Sequence, residues 1–544
     1  MGKGDVMVKI KDKEWIVPDY NVFDGLNFRQ LLEKTAQDCP QKEALVYKDK
    51  RITYQQFNEK VDQLALGLKK IGVKKGDRCA ILLPNSIEFA CVQYAILKLG
   101  GIFIPLSTRY RKFELTYMLK HSGTKMLALI DEFLGINFLD LLNEIKGELL
   151  ELEILLVLGK CIPPGAYDLK GLLEKPSQPV ALEADPIDEN DVVSILYTSG
   201  STGTPKGVMS THRNLIWDAI RVNERLLMAE QDSFLMMLPL SHIFASSVLL
   251  THAIMGGCKV VVMDVFEPEE ALSLIEKEGI SILYGVPTMF VLMLNHPNYR
   301  KYNLTTLRTG YMSGSACPIE LVKAVIEDMG CNISAAYGMT ECACISITEY
   351  GDDAYIKSET VGRPIRDEEM KIADNERNEV PVGQVGEIAV RGQNVFKGYY
   401  KQPEMTKEAF DSEGWFYTGD LGIKDQNGRF RIVGRKKEMI IKGGFNIFPA
   451  EVEEVIYQIP SIQFAAVVGL PDKVFGEIPW ACIVRKPGEK VEVEEIIKYL
   501  KANLANYKVP DRIEILPELP MTTSNKIQKY KLRENLIAKY DLKG

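Results

Sequence analysis

The sequence predicts an α/β protein with a large N-terminal region of doubly wound α/β layers, a β-rich subdomain, and a small, mobile α+β C-terminal lid. Three observations predict this fold. Helical and strand patterns alternate over the first two thirds of the chain, and past Tyr350 the pattern changes to short strands and turns. About a hundred residues then follow a charged segment that begins at Arg435, enough for a small domain. We therefore expect an N-terminal domain at 1–435, with its β-rich subdomain at about 350–435, and a lid at 436–544.

The first two thirds of the chain carry hydrophobic periods typical of βαβ units. These periods predict helices at 53–71, 87–99, 268–278 and 318–329, a further helix that begins near His212, and strands at 79–83, 192–196, 234–238, 259–263 and 307–311. Such an order predicts parallel sheets covered by helices on both faces.

The last third is predicted from turn residues and shorter hydrophobic runs. Strands are expected at 386–391 and 428–433, and the lid is expected to place helices near 450–457 and 493–504 around strands at 464–468 and 481–484. The charged segment between Arg435 and Ile440 lies between two folded regions, so it is the predicted hinge.

Length and composition exclude several classes of protein. A chain of 544 residues is too long for one compact core and predicts roughly three or four units. The formal net charge of -8 argues against a general nucleic-acid binder. Ten cysteines without C-x-x-C spacing favour reduced thiols in a cytoplasmic protein over disulfides or a zinc site. We find no apolar run of signal-peptide type and expect no integral membrane segment.

The segment 197–208 packs hydroxyls, glycines and one cation into a short turn. Glycines let backbone N–H groups approach anionic oxygens, hydroxyls add donors, and Lys206 supplies a point charge, so the turn predicts a polyphosphate site. A Walker loop needs Gly before the lysine and Ser or Thr after it, whereas Pro205 and Gly207 flank Lys206. A Ser/Gly-rich linker has the same composition. The strand before the turn and the helix after it favour a nucleotide.

Further motifs follow this loop in a fixed order. They are Tyr-Gly-Met-Thr-Glu at 337–341, Gly-Glu-Ile at 386–388, Tyr-Thr-Gly-Asp at 417–420, Gly-Arg at 434–435 and the segment 520–526. Together with the loop they resemble the adenylate-forming superfamily of acyl-CoA synthetases, luciferases and peptide-synthetase adenylation domains. The resemblance spans nearly the whole chain and is strongest to acyl-CoA synthetases.

The resemblance implies a nucleotide site that holds ATP and Mg²⁺. Glu341 corresponds to the magnesium-associated carboxylate, and Thr340 to a donor for phosphate. Asp420 corresponds to the acceptor for both ribose hydroxyls, with Arg435 as a second ribose contact. The phosphate loop corresponds to Thr198, Ser199, Gly200, Ser201, Thr202, Gly203, Thr204 and Lys206, and the other nucleotide contacts to Gly314, Ser315, Ala316, Ala336, Tyr337, Gly338 and Ile432.

The resemblance also implies two half-reactions served by one lid. Lys526 corresponds to the lysine that bridges the substrate carboxylate and the ATP phosphate, although Asn525 stands where the family has glycine. Asn tolerates left-handed backbone angles, so we expect the loop to keep its function. Gly443 and Gly444 correspond to the lining of the tunnel for coenzyme A, and Lys437 to the hinge residue.

The acyl pocket is expected around an apolar segment near residue 240. His242 corresponds to a family histidine at the pocket, although a single histidine on an apolar segment is often structural. The lining is expected to comprise His242, Phe244, Val286, Met289, Gly338 and Cys342. No charged residue stands out there, which favours an apolar acyl chain or an aromatic acid.

The predicted function is an AMP-forming acyl-CoA synthetase for a medium-chain or fatty acid, with ATP, Mg²⁺ and coenzyme A. An aryl or cyclic carboxylate–CoA ligase and a stand-alone adenylation enzyme that loads a carrier protein are the alternatives. The expected partners are these small molecules and no nucleic acid, and a homodimer is left open. A silent nucleotide-binding regulator would predict degraded phosphate and lysine motifs, and both are intact.

Overall fold

A computed structural model of the chain describes residues 5–10, 13–174, 185–198, 205–315, 317–522 and 525–542. The first part begins with a two-stranded hairpin and continues as alternating helices and strands. Its elements are β1 (Val6–Ile10), β2 (Lys13–Val17), α1 (Phe28–Asp38), β3 (Glu43–Tyr47), β4 (Lys50–Thr53), α2 (Tyr54–Lys70), β5 (Arg78–Leu82), α3 (Ile87–Lys98), β6 (Ile102–Pro105), α4 (Lys112–Ser122), β7 (Met126–Ile130), β8 (Glu132–Phe133), β9 (Ile136–Asn137), α5 (Phe138–Ile145), β10 (Ile154–Leu158), β11 (Tyr167–Asp168) and α6 (Leu169–Glu174).

The same alternation continues to residue 364. The elements are β12 (Val192–Thr198), β13 (Lys206–Thr211), α7 (His212–Arg225), β14 (Ser233–Met236), a π-helix (Phe244–Leu249), α8 (Leu250–Met255), β15 (Lys259–Val262), α9 (Pro268–Glu278), β16 (Ile282–Gly285), α10 (Pro287–Leu294), β17 (Thr309–Met312), α11 (Ile319–Glu327), β18 (Asn332–Met339), β19 (Ala343–Ile347), α12 (Ala354–Glu359) and β20 (Arg363–Pro364). Short 3₁₀ turns lie at Tyr20–Phe23, Lys146–Glu148, Tyr299–Lys301 and Asn506–Lys508.

The remaining elements form the β-rich subdomain and the lid. The subdomain contains β21 (Glu369–Ala373), β22 (Gly386–Arg391), β23 (Gly398–Tyr399), α13 (Pro403–Ala409), β24 (Phe416–Lys424) and β25 (Phe430–Arg435). The lid contains β26 (Ile440–Lys442), β27 (Phe445–Ile447), α14 (Pro449–Tyr457), β28 (Ile462–Asp472), β29 (Gly476–Arg485), α15 (Val493–Asn503), β30 (Arg512–Ile515) and α16 (Lys529–Lys539).

Two large sheets hold the N-terminal domain together. Over the described residues, the first sheet has the order β11-β10-β7-β5-β6-β12-β13-β23, and the second has the order β20-β19-β18-β17-β16-β14-β15-β3-β4. The central pairs are parallel, whereas β12 with β13 and β18 with β19 are antiparallel. Helix α3 is apolar nearly all round and contacts β5 and β6 of the first sheet and β3 of the second. Such a helix belongs inside the protein, and it lies in the main core between the sheets.

The α/β fold with a separate C-terminal domain is confirmed. Capping residues fix where several of its helices begin. Helix α2 begins at Tyr54 because Thr53 and Gln56 form a capping box. The four-stranded sheet β21-β22-β24-β25 begins at Glu369, and helix α12, which Asp353 caps, precedes it in the chain. The lid has its own core around β28 and β29. In the ranges that the structure describes, no helix combines the length and apolar character needed to cross a bilayer.

Candidate active site

A large cleft, about 2980 Å³ in volume, lies between the N-terminal domain and the lid. Its floor is built where strands end: Thr198 is the last residue of β12, Ser313 follows β17, and Gly338 lies near the end of β18. The carboxyl ends of parallel strands open into such crevices, where α/β proteins bind their ligands. The β-rich sheet and the lid supply the other walls.

Asp420 and Arg435 face each other across the β24–β25 pair on one wall of the cleft. The Tyr337 hydroxyl donates to Asp420 Oδ2 at 2.7 Å, and Arg435 Nε lies 3.3 Å from Oδ1. Burial raises the pKa of the Asp420 carboxyl, and the charge of Arg435 opposes that effect. The tyrosine and the arginine fix a carboxylate that can only accept hydrogen bonds, which suits it to hydroxyl donors such as those of a ribose.

A second anionic group, Glu341, lies at the turn between β18 and β19. The Tyr399 hydroxyl donates to Glu341 Oε1 at 3.0 Å, and the Lys206 ammonium lies 4.7 Å from the centre of the Tyr399 ring. Burial raises the pKa of Glu341, whereas the tyrosine, Lys206 and Arg435 lower it. Thr340 lines the cleft beside it.

The donor set around Glu341 fits Mg²⁺ shared with phosphates. Among the described residues, no group of three or more His, Cys, Asp and Glu side chains could enclose a metal ion by itself. Mg²⁺ commonly takes one or two protein carboxylates and obtains its other ligands from phosphate and water. Glu341 with a polyphosphate would meet that requirement.

The phosphate loop connects two paired strands, since Thr198 on β12 is opposite Lys206 on β13. A Walker loop leads directly from a strand into a helix, so this antiparallel hairpin explains why the Walker pattern does not fit. The predicted contacts Ser199, Gly200, Ser201, Thr202, Gly203 and Thr204, and Ala316 of the adenine loop, lie outside the described residues.

Lys526 reaches from the lid into the cleft beside Gly314. Gly314 has φ +92°, and a Cβ there would lie 2.6 Å from Lys526 Cε, so glycine makes room for the lysine. Burial, and then the charge of Arg435, lowers the pKa of Lys526 to about 8. Asn525 adopts φ +58°, the left-handed conformation expected of the family glycine, and its carbonyl accepts from Thr288 Oγ1 at 2.6 Å.

The apolar end of the cleft contains His242 and Phe244. Phe244 N–H donates to His242 Nδ1 at 3.2 Å, which leaves Nε2 to carry the proton of a neutral ring. Burial and the nearby charge of Lys526 lower the pKa of His242 to about 3, so the ring is neutral near pH 7. The Phe244 ring stacks on Tyr311, with ring centroids 5.1 Å apart. Gly338 also lines this region, and a Cβ there would meet the Ala343 carbonyl oxygen at 1.9 Å.

Three residues predicted to line the acyl pocket lie elsewhere. Val286 and Met289 are almost completely buried in the main core, and Cys342 is fully buried in the cluster beneath the β-rich sheet. None of the three lines the cleft, although the Val286 side chain packs behind Gly314, where a Cβ would meet Val286 Cγ1 at 3.4 Å. Thr288, between the first two, meets the lid through Asn525, and Val291 and Leu292 of the same helix pack against the core of the lid.

The remaining predicted nucleotide contacts lie at the cleft. Ser315, Ala336, Tyr337 and Ile432 line it together with Gly314 and Gly338. The cleft therefore brings together the Asp420–Arg435 pair, the Glu341 carboxylate, a lid lysine and an apolar pocket.

Comparison with known proteins agrees with this arrangement. A model of the AMP-binding enzyme family matches residues 32–400, and a model of the AMP-binding enzyme C-terminal domain matches residues 451–526. The chain belongs to the AMP-binding enzyme family. This membership confirms the predicted adenylate-forming superfamily.

Relatives of this AMP-binding enzyme include CoA ligases. "Putative acyl-CoA synthetase YngI" of Bacillus subtilis (strain 168) is 39% identical over 535 residues, covering 94% of this chain and 97% of the relative. Mitochondrial medium-chain acyl-CoA ligase ACSF2 of Homo sapiens is 34% identical over 534 residues, covering 93% and 87%. The crystal structure of the anthranilate CoA ligase AuaEII in complex with anthranoyl-AMP superimposes with a TM-score of 0.89 at 28% identity, covering 95% and 98%. The prediction of an AMP-forming CoA ligase most similar to acyl-CoA synthetases is thus confirmed.

The lid of this AMP-binding enzyme is held against the N-terminal domain by specific contacts. Glu454 on α14 accepts from the N–H of Ile319 at 3.1 Å, where α11 begins after Pro318 without a side-chain cap of its own. Burial raises the pKa of Glu454, an effect that the Ile319 hydrogen bond opposes. A carboxylate from the lid therefore caps a helix of the other domain.

The connection to the lid is short and fixed on one side. The backbone N–H of Lys436 donates to the Gly419 carbonyl at 2.9 Å, and its ammonium lies 2.9 Å from Glu387. Lys437, the predicted hinge, lines the cleft directly after this fixed point. Gly443 and Gly444 form the exposed turn of the β26–β27 hairpin, outside the cleft lining in this arrangement.

Sequence reasoning missed three residues of the site. Tyr399 holds Glu341, Tyr311 stacks in the acyl pocket, and Arg109 reaches the Thr522 carbonyl of the lid at 3.5 Å. The position of Tyr311, two residues before Ser313 on a strand that ends at the cleft, is a signal that could have found it. Tyr399 and Arg109 belong to no recognised motif.

Proposed function

We propose that this enzyme activates an apolar carboxylic acid as acyl-AMP and transfers the acyl group to coenzyme A within one cleft. The observation that carries the proposal is the position of Lys526. It enters the cleft from the lid, lies beside Gly314, and is close enough for its charge to act on both Arg435 of the nucleotide wall and His242 of the acyl region. A cation at this point can contact a carboxylate and a phosphate together.

In the first half-reaction the substrate carboxylate oxygen attacks the α-phosphorus of ATP, and the bond from that phosphorus to pyrophosphate breaks. Asp420 and Arg435 would hold the ribose, while Lys206 and Lys526 would neutralise charge that develops on the phosphate oxygens. Mg²⁺, held by Glu341 and the phosphates, would supply further charge neutralisation. The neutral His242 would orient the acyl group without acting as a base, because its pKa is too low.

In the second half-reaction the lid would turn about Lys437. That motion would withdraw Lys526 and bring the Gly443–Gly444 turn to the cleft, where the absence of side chains admits a thin thiol arm. The thiolate of coenzyme A would attack the acyl carbonyl, and AMP would leave as the carbon–oxygen bond breaks. The exposed position of that turn in the present arrangement supports this division between two lid orientations.

The acyl region favours an apolar acid of medium length or a fatty acid. Phe244, Val248 and Tyr311 line it, and none of these side chains carries a positive charge that could pair with a second carboxylate. An aryl or cyclic acid is the second candidate, because two aromatic side chains, Phe244 and Tyr311, line this region and aromatic rings pack favourably against one another.

A panel of carboxylic acids with ATP, Mg²⁺ and coenzyme A tests the proposal. We expect AMP, pyrophosphate and an acyl-CoA of the correct mass to appear in equal amounts with apolar acids. Omission of coenzyme A should leave acyl-AMP bound to the enzyme. Folded protein that forms no acyl-AMP with any acid would refute the proposal, whereas acyl-AMP without thioester would favour a carrier protein as acceptor.

A further inference from the structure

A buried chain of three polar side chains lies directly behind the acyl pocket. Asp218 on α7, His252 on α8 and Tyr284 on β16 are each at most 1% exposed. His252 Nε2 lies 3.1 Å from Asp218 Oδ2, and His252 Nδ1 lies 3.0 Å from the Tyr284 hydroxyl. None of the three lines the cleft, and the half-reactions proposed above do not use them.

The three side chains Asp218, His252 and Tyr284 satisfy one another's hydrogen-bonding groups. A carboxylate oxygen accepts, so His252 Nε2 donates to Asp218, and Nδ1 of the same ring is placed to accept from the Tyr284 hydroxyl. The other carboxylate oxygen, Asp218 Oδ1, accepts from the backbone N–H of Cys344 at 2.8 Å. Fully paired networks in a low-dielectric core fix one arrangement of their members, since an unpaired group there is costly.

Both ends of the chain reach residues that line the acyl pocket. The Tyr284 ring packs on Tyr311 with a centroid separation of 4.1 Å, and Phe244 stacks on Tyr284 at 6.0 Å. Tyr311, Phe244 and Cys344 line the cleft. Asp218 therefore ties one wall through its hydrogen bond to Cys344 and a second wall through the Tyr284 ring.

We propose that Asp218, His252 and Tyr284 are positioning residues that hold the Tyr311–Phe244 wall in place and thereby set the size of the accepted acyl group. The inference rests on the proposed function. An apolar pocket discriminates by how well a chain fills it, and one methylene is worth roughly tenfold or more in kcat/KM. A wall fixed by hydrogen bonds behind it keeps that discrimination, and loss of a bond lets the rings shift and admit a longer or bulkier acid.

The test removes one hydroxyl behind the wall. In Tyr284→Phe, the ring and its packing remain while the bond to His252 is lost. We expect the ratio of kcat/KM for an acid longer than the preferred one to that for the preferred acid to rise about fivefold or more. The KM for ATP should change less than about twofold, because the nucleotide wall is not touched.

Tyr54→Phe is the matched control. Tyr54 is equally buried, and its hydroxyl donates to the Cys258 carbonyl at 2.6 Å and lies 3.3 Å from the Ala253 carbonyl, so it contacts α8 beside His252 without belonging to the three-residue network. We expect it to lower thermal stability and leave the acid preference unchanged. Asp218→Asn is a second variant, and it should broaden the preference in the same direction. An unchanged preference in both Tyr284→Phe and Asp218→Asn would overturn the inference, even with lowered stability.

Binding gives a measurement that does not depend on turnover. Non-reactive acyl-sulfamoyl adenosines of increasing chain length can be titrated by calorimetry into the wild type and both variants. A shift of the tightest-binding chain length in the variants supports the inference, and superimposable affinity series refute it. Wild-type protein that binds the series but forms no product with any acid would refute the proposed function alone.

Discussion

Replacing Lys526 by alanine should separate the two half-reactions. The ammonium enters the cleft beside Gly314, where burial makes each electrostatic interaction stronger than in water. Removing one such group that stabilises developing charge costs about 3–4 kcal/mol, which corresponds to about 10²- to 10³-fold in rate. We expect a loss of this size in acyl-AMP formation and less than about a threefold change in thioester formation from supplied acyl-AMP.

The pH dependence follows from the lowered pKa of the same lysine. Below about pH 8 the ammonium is charged, and above that value the free enzyme loses the cation. The kcat/KM of adenylation should therefore fall as the pH rises through about 8 and approach a tenfold loss per pH unit. His242, whose pKa lies at about 3, should contribute no inflection near neutrality. Lys526→Arg keeps a cation at high pH and should remove the alkaline limb from its residual activity.

The assay for Lys526→Ala compares pyrophosphate exchange with thioester formation from synthetic acyl-AMP. Lys498→Ala, on the exposed face of α15, is the matched lid variant and should leave both rates unchanged. Equal losses in both half-reactions of Lys526→Ala would refute the assignment of this lysine to the first step.

Three further perturbations address other parts of the site. Tyr337→Phe removes the donor to Asp420, so the KM for ATP should rise about tenfold while the KM for the acid stays constant. A parallel rise in both KM values would contradict the assignment of Asp420 to the ribose. Glu454→Ala removes the lid's cap on Ile319, so pyrophosphate exchange should fall about fivefold without slowing thioester formation. An unchanged exchange rate would show that this contact does not stabilise the closed arrangement. Gly444→Trp should block thioester formation and preserve exchange, whereas loss of exchange would count against the tunnel assignment.

Alternating helix and strand patterns predicted the fold class, and short motifs supplied most of the residues expected at the nucleotide site. Asp420 and Arg435 were found because each lies in a short recognisable motif, although their pairing across β24 and β25 was visible only in the structure. The alternating hydrophobic periods likewise predicted strands that end at the cleft, because such a period depends only on neighbouring residues of the same strand.

Side-chain direction could not be predicted in the same way. Cys342 follows Glu341 directly, yet the turn after β18 sends one into the core and the other to the cleft. The buried chain of Asp218, His252 and Tyr284 comes from three separate elements and leaves no pattern in any of them. Such contacts depend on how sheets and helices pack over long separations.

The attachment of Lys436 to Gly419 has a mechanical consequence. Gly419 immediately precedes Asp420, so Lys436, the residue before the proposed hinge, is hydrogen-bonded to the strand that carries the Asp420 carboxylate. A displacement of Lys436 would therefore act on the backbone one residue away from Asp420. With so short a connection, a lid that turned about Lys437 would sweep a narrow arc and return to the same docking point at a high effective local concentration. Inserting a few glycines after Lys436 would widen that arc and slow each closure of the lid, although no group that touches substrate would have changed.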